Sequence, residues 1–70
     1  LFEVKIYTKP GCPYCTEAKE HYQSKGIDFE EIDVYAVPGA KEEAIRLSEG
    51  KAMVPVIVDH GKVQVGFGGG

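Results

Sequence analysis

Between Tyr7 and Pro13 the chain changes its period, and that change limits the folds open to it. Phe2, Val4 and Ile6 alternate with Glu3, Lys5 and Tyr7, the period of two that a strand shows when one face meets a core. This predicts a first strand over Phe2 to Tyr7. Lys9-Pro10-Gly11 then breaks regular structure, and Pro13 suits the first turn of a helix, where its missing N–H would have had no intrahelical partner. Glu17 ahead of Lys19 and Lys25 follows the helix dipole, and Gly26 offers a left-handed stop, so this helix is predicted to end near Lys25. Ile27, Phe29, Ile32 and Val34 mark a second strand, centred on Phe29 to Asp33. Its short link from the helix implies a right-handed crossover, which makes the two strands parallel.

Val37-Pro38-Gly39 reads as loop. Ala40 to Glu49 reads as a second helix, with Glu42 and Glu43 ahead of Arg46, Ala40, Ala44 and Leu47 on one face, and Gly50 just past the end. Val56-Ile57-Val58 and Lys62 to Val65 flank Asp59-His60-Gly61, a connection short enough to force an antiparallel hairpin. The order β-α-β-α-β-β gives an α/β sandwich of two or three layers around one small mixed sheet. Phe2, Tyr7 and Phe29 are core candidates, and Tyr22 follows Ala18 along the inner helix face. Tyr35 begins a loop, Asp33 reads as a turn or cap residue, and His21 and His60 read as surface residues. The glycine-dense tail from Gly66 to Gly70 is expected to be flexible.

Seventy residues with a net charge of −3 make room for one domain, 1–70. Hydrophobic residues at 43% and charged residues at 27% are enough for a core and unlike a disordered chain. Scattered cations among more numerous anions argue against a nucleic-acid partner. Neither a membrane span nor a signal peptide can be read, so a cytoplasmic protein is the expectation.

Cys12-Pro13-Tyr14-Cys15 places two thiols three positions apart at the mouth of the first helix. Such a pair can close a small disulfide and reopen it without moving the rest of the chain. Cys12 faces the helix N-terminus, where unpaired N–H groups and the dipole favour thiolate, so Cys12 is the expected nucleophile. Cys15, one turn in and more shielded, is the expected resolving thiol. Two other readings exist. A permanent staple across so short a loop removes little unfolded-state entropy. A zinc site needs four ligands, and His21 and His60 do not form a recognisable pair with the cysteines by spacing.

Tyr7-Thr8-Lys9-Pro10-Gly11-Cys12-Pro13-Tyr14-Cys15, then Ala18-Lys19, then Val54-Pro55 together resemble the glutaredoxin family, through nearly the whole chain. The resemblance implies a thioredoxin fold with a four-stranded mixed sheet. It implies a cis bond before Pro55, with Val54 opposite Cys12 where an extended peptide or glutathione can pair. It also implies that Lys9 is the cation near the thiolate and the ligand's carboxylate, and that Tyr14 flanks the sulfur. Pro13, Gly66 and Phe67 complete the implied substrate-binding set. Some features depart from the family pattern: Met53 stands where glutathione-using members usually have Thr, Gly66-Phe67-Gly68-Gly69-Gly70 carries no acid, and the final helix with which family members continue after the glycines is expected to be absent. Val65-Gly66-Phe67 is similar to redoxins that take electrons from thioredoxin reductase.

The expected activity is therefore thiol–disulfide exchange without a bound cofactor, on protein disulfides or glutathione mixed disulfides, by a monomer. Glutathione is the expected electron donor, with a flavoprotein reductase as the variant. A reading of another class is a metal or iron–sulfur module held through Cys12.

Overall fold

The computed structural model describes residues 3–51 and 54–67. Its elements are β1 (Val4–Thr8), α1 (Pro13–Ser24), β2 (Glu30–Asp33), α2 (Ala40–Leu47), β3 (Val56–Asp59) and β4 (Lys62–Val65), in the predicted order. The sheet runs β2-β1-β3-β4. β1 and β2 are parallel, with Tyr7 opposite Ile32, while β3 is antiparallel to both β1 and β4.

The first strand was expected to show one face to a core, but β1 is covered on both. It lies inside the sheet, between β2 and β3, so Val4 and Ile6 are buried on one side and Tyr7 on the other, with Thr8 buried at its end. Strand β1 begins at Val4, one pair of residues later than predicted, and Phe2 and its assignment to the core lie outside the described residues. The same is true of Met53 and of the tail from Gly68 to Gly70.

Two apolar clusters settle the layer count. Val4, Ile6 and Ile57 pack under Ala18 and Tyr22 of α1, with Phe29 and Phe67 against them. Tyr7 and Val56 pack under Ala40 and Ala44 of α2, with Val34, Ile32 and Leu47. The helices thus cover opposite faces, giving three layers, because successive strand residues point to opposite sides of the sheet.

Helix α1 follows the predicted stop: Lys25 caps it and Gly26 turns left-handed at φ 71°. Helix α2 ends sooner than predicted, since the left-handed turn begins at Glu49 (φ 59°) as well as Gly50, whose N–H reaches the Ile45 carbonyl at 2.8 Å. The β3–β4 connection closes on His60 (φ 51°) and Gly61 (φ 85°). Positive φ at both central residues is the mirror-image turn whose twist matches an antiparallel hairpin.

Candidate active site

The C-terminal end of β1 delivers the chain to the start of α1, and the two cysteines lie at that junction. Cys12 is the residue that caps the helix, in an extended conformation (φ −93°, ψ 112°), with Pro13 at its first position. The backbone N–H of Cys15 donates to the Cys12 sulfur at 3.3 Å. The sulfur therefore takes the place that a serine or aspartate oxygen fills at ordinary helix starts. Cys12 is half-buried, and Cys15 is 2% exposed.

Opposing influences act on the Cys12 thiol. Burial raises its pKa, but the Cys15 thiol, the backbone N–H groups of Cys15 and Tyr14 and the Lys9 charge all favour the anion, and together they hold it below the ordinary thiol value. Burial pushes Cys15 the other way, up to about 11, with the hydrogen bond and charge of Cys12 adding to the rise. One sulfur is thus readied as an anion while the other stays protonated beside it.

A cleft of about 470 Å³ opens over Cys12, with Lys9, Gly11, Pro13 and Tyr14 on one side and Tyr35, Lys41, Ala44 and Val54 among the remaining walls. The Val54–Pro55 bond is cis, as the family resemblance implied. Of the residues singled out from sequence, Lys9, Cys12, Pro13, Tyr14 and Val54 meet in this cleft, and Pro55 is buried next to it in the chain. Gly66 and Phe67 are not among its walls. The N–H of Gly66 donates to the Pro55 carbonyl at 2.8 Å, while Phe67 packs into the core beneath α1, its ring 5.2 Å from that of His21. That contact corrects the surface reading of His21, which is half-buried between Tyr22 and Phe67; His60 is exposed as expected. Asp33 is the turn residue expected, its carboxylate accepting the Tyr35 N–H at 2.8 Å.

Tyr35 and Lys41 were not foreseen in the site. Tyr35 leaves β2 and Lys41 begins α2, so only the packing of α2 on the sheet brings both to Cys12; the Lys41 ammonium lies 5.7 Å from the Tyr35 ring centre. Among the described residues, no group of three or more His, Cys, Asp or Glu is placed to hold a metal ion.

Comparison with known proteins points the same way. The family model described as Glutaredoxin matches residues 4–64. A glutaredoxin-like 8.6 kDa protein in the rubredoxin operon of Clostridium pasteurianum is 42% identical over 64 residues, spanning 91% of this chain and 84% of that protein. Glutaredoxin 3 of Escherichia coli is 44% identical over 57 residues, 81% of this chain and 68% of that one. Among solved structures, the glutaredoxin of Archaeoglobus fulgidus superposes with a TM-score of 0.83 at 30% identity, covering 99% of this chain and 79% of its own. The fold is accordingly thioredoxin-like.

Proposed function

The chain belongs to the glutaredoxin family, and from that premise we propose that it reduces protein disulfides or glutathione mixed disulfides, with Cys12 attacking and Cys15 resolving. The observation that carries this reading is the split between the two thiols. Cys12 is held toward its anion by the helix start, while Cys15 waits protonated one turn behind it. The Cys12 thiolate attacks one sulfur of the substrate disulfide, the other sulfur leaves as a thiolate that takes a proton, and Cys12 is joined to the substrate. Cys15 then loses its proton and attacks the Cys12 sulfur. The second substrate thiol is released, and the protein is left as its own disulfide, two electrons having passed to the substrate.

Glutathione is the donor we favour for restoring the dithiol. Its two carboxylates match the two cations in the cleft, Lys9 and Lys41, and Tyr14 and Tyr35 offer apolar walls between them. A flavoprotein reductase is the second reading, supported by Phe67 in Val65-Gly66-Phe67 and by the lack of an acid among residues 66–70. We place the cycle in a reducing cytoplasm, in a monomer that binds no resident cofactor. No helix among the described residues is long and apolar enough to cross a membrane.

Turnover of a small disulfide with glutathione and its reductase, run beside thioredoxin reductase, decides the donor. Activity with glutathione is expected, and activity only with thioredoxin reductase overturns that choice. Cys12→Ser is expected to abolish turnover in either assay, while Cys15→Ser keeps activity on glutathione mixed disulfides, which need one thiol. Equal loss in both variants contradicts the assigned roles.

A further inference from the structure

On the other side of the active-site loop lies a smaller cleft of about 190 Å³, whose walls include Thr8, Cys15, Lys19, Glu31 and Asp33. Lys19 follows Cys15 by four residues, so the two share a face of α1. Its ammonium donates to Glu31 Oε2 at 2.9 Å, and the same oxygen accepts the Thr8 hydroxyl at 3.1 Å. A partly exposed ion pair adds little stability. Its consequence is positional: a flexible lysine is tied across to β1 and β2 and kept in the wall that holds the buried thiol.

We propose that Lys19 is a positioning residue for the second half of the exchange, its ammonium, anchored by Glu31 and Thr8, stabilising the Cys15 thiolate as it attacks the mixed disulfide on Cys12. This rests on the Cys12–Cys15 cycle proposed above. With its pKa pushed up to about 11, chiefly by burial and then by Cys12, the Cys15 thiol of the resting dithiol stays protonated at neutral pH. Once Cys12 is bonded to substrate, its sulfur carries no charge, so that part of the upward push disappears and burial remains. A backbone hydrogen bond at Lys9 and the charge of Lys19 favour the Cys15 anion. The other charged groups in this cleft are the Lys9 side chain on the loop after β1, and Glu31 and Asp33 on β2. Glu31 is already matched by Lys19, and Asp33 accepts the Tyr35 N–H. In the step itself, the Cys15 proton passes to water, the S–S bond from Cys12 to the substrate breaks, the Cys12–Cys15 bond forms, and the departing thiolate takes a proton from water.

The test follows the reduced protein after rapid mixing with 5,5′-dithiobis(2-nitrobenzoate). Attack by Cys12 releases one coloured thiolate, and attack by Cys15 on the resulting mixed disulfide releases a second, so the second phase reports the resolving step alone. Recorded between about pH 6 and 9, that phase is expected to be slower by at least about threefold at neutral pH in Lys19→Met, its pH profile displaced upward, and to recover in Lys19→Arg, which keeps the charge. Superimposable profiles for Lys19→Met and the native chain overturn the proposal. So does a uniform loss at every pH that Lys19→Arg does not restore, since that marks a packing role. A native chain with no second phase defeats the dithiol cycle and this role with it, whereas a native second phase that Lys19→Met leaves unmoved defeats only the role of Lys19.

Discussion

Cys12 and Cys15 are one residue type three positions apart, yet their surroundings drive them in opposite directions, so each titrates as its site dictates. Alkylation by iodoacetamide, followed by mass spectrometry across a pH series, is expected to label Cys12 with a midpoint below that of a free thiol and to leave Cys15 unlabelled until strongly alkaline pH. Labelling of both at the ordinary thiol midpoint of about 8.5 contradicts the assigned roles. This pair was legible in the sequence because its chemistry is local: a strand, a break and a proline at the helix start place both sulfurs with no help from distant residues. Tyr35, Lys41 and the Lys19–Glu31 pair were not, since each joins the site only after β2 or α2 docks. Phe67 shows the converse. An aromatic beside the glycines reads as part of a binding edge, but Phe67 packs against the cluster of Val4, Ile6, Ala18, Tyr22 and Ile57 instead.

Periodicity, turn residues and charge order together located every element, and periodicity failed where one strand serves two faces. Alternation along Val4 to Tyr7 predicts a single buried side, yet with neighbours on both edges and a helix over each face β1 buries residues on both sides, and within the strand only Lys5 stays exposed. The hairpin was the most sharply encoded element, since the short connection Asp59-His60-Gly61 forces its strands antiparallel, and the structure narrows that connection to a two-residue turn at His60 and Gly61. Gly61, at φ 85°, has open space where a Cβ would go, so Gly61→Ala meets backbone strain rather than a clash and is expected to destabilise the protein by about 1 kcal/mol in urea unfolding. The neighbouring His60 contacts the carboxylates of Asp59 and, at 2.6 Å, Glu3. Hydrogen bonding to Asp59, followed by the Glu3 contact, raises its pKa above the ordinary histidine value. Its stabilisation is therefore complete below about pH 6.5 and is lost as pH rises through the raised folded value. Thermal melts of His60→Gln are expected to lack the small fall in Tm that the native chain shows across that window.

In a chain of 70 residues the sheet is shared by both cores, so the charge state of the active site is coupled to the stability of the whole molecule. Cys12 carries that coupling. Its folded pKa lies below the unfolded one, so ionisation stabilises the reduced fold above the unfolded thiol value of about 8.5, and this contribution drains away as pH falls through the folded value. Cys15 has the opposite sign: with its folded pKa at about 11, its cost sets in as pH rises through the unfolded thiol value of about 8.5 and is complete only near the folded value, so it does not oppose the Cys12 gain below about pH 8. The disulfide form has neither thiol to titrate, while every other group, His60 included, is common to both redox states and cancels in their difference. The difference in Tm, reduced minus oxidised, is therefore expected to climb as pH rises toward about 8.5, and Cys12→Ala in a reducing buffer is expected to lose the climb relative to the oxidised native chain. Because a stabilised reduced form makes the couple a stronger oxidant, the same experiment predicts a reduction potential that falls less steeply with pH across this window than a couple with two ordinary thiols. A reduced-minus-oxidised difference that stays level from acid to alkaline pH would show that the helix start does nothing for the Cys12 anion.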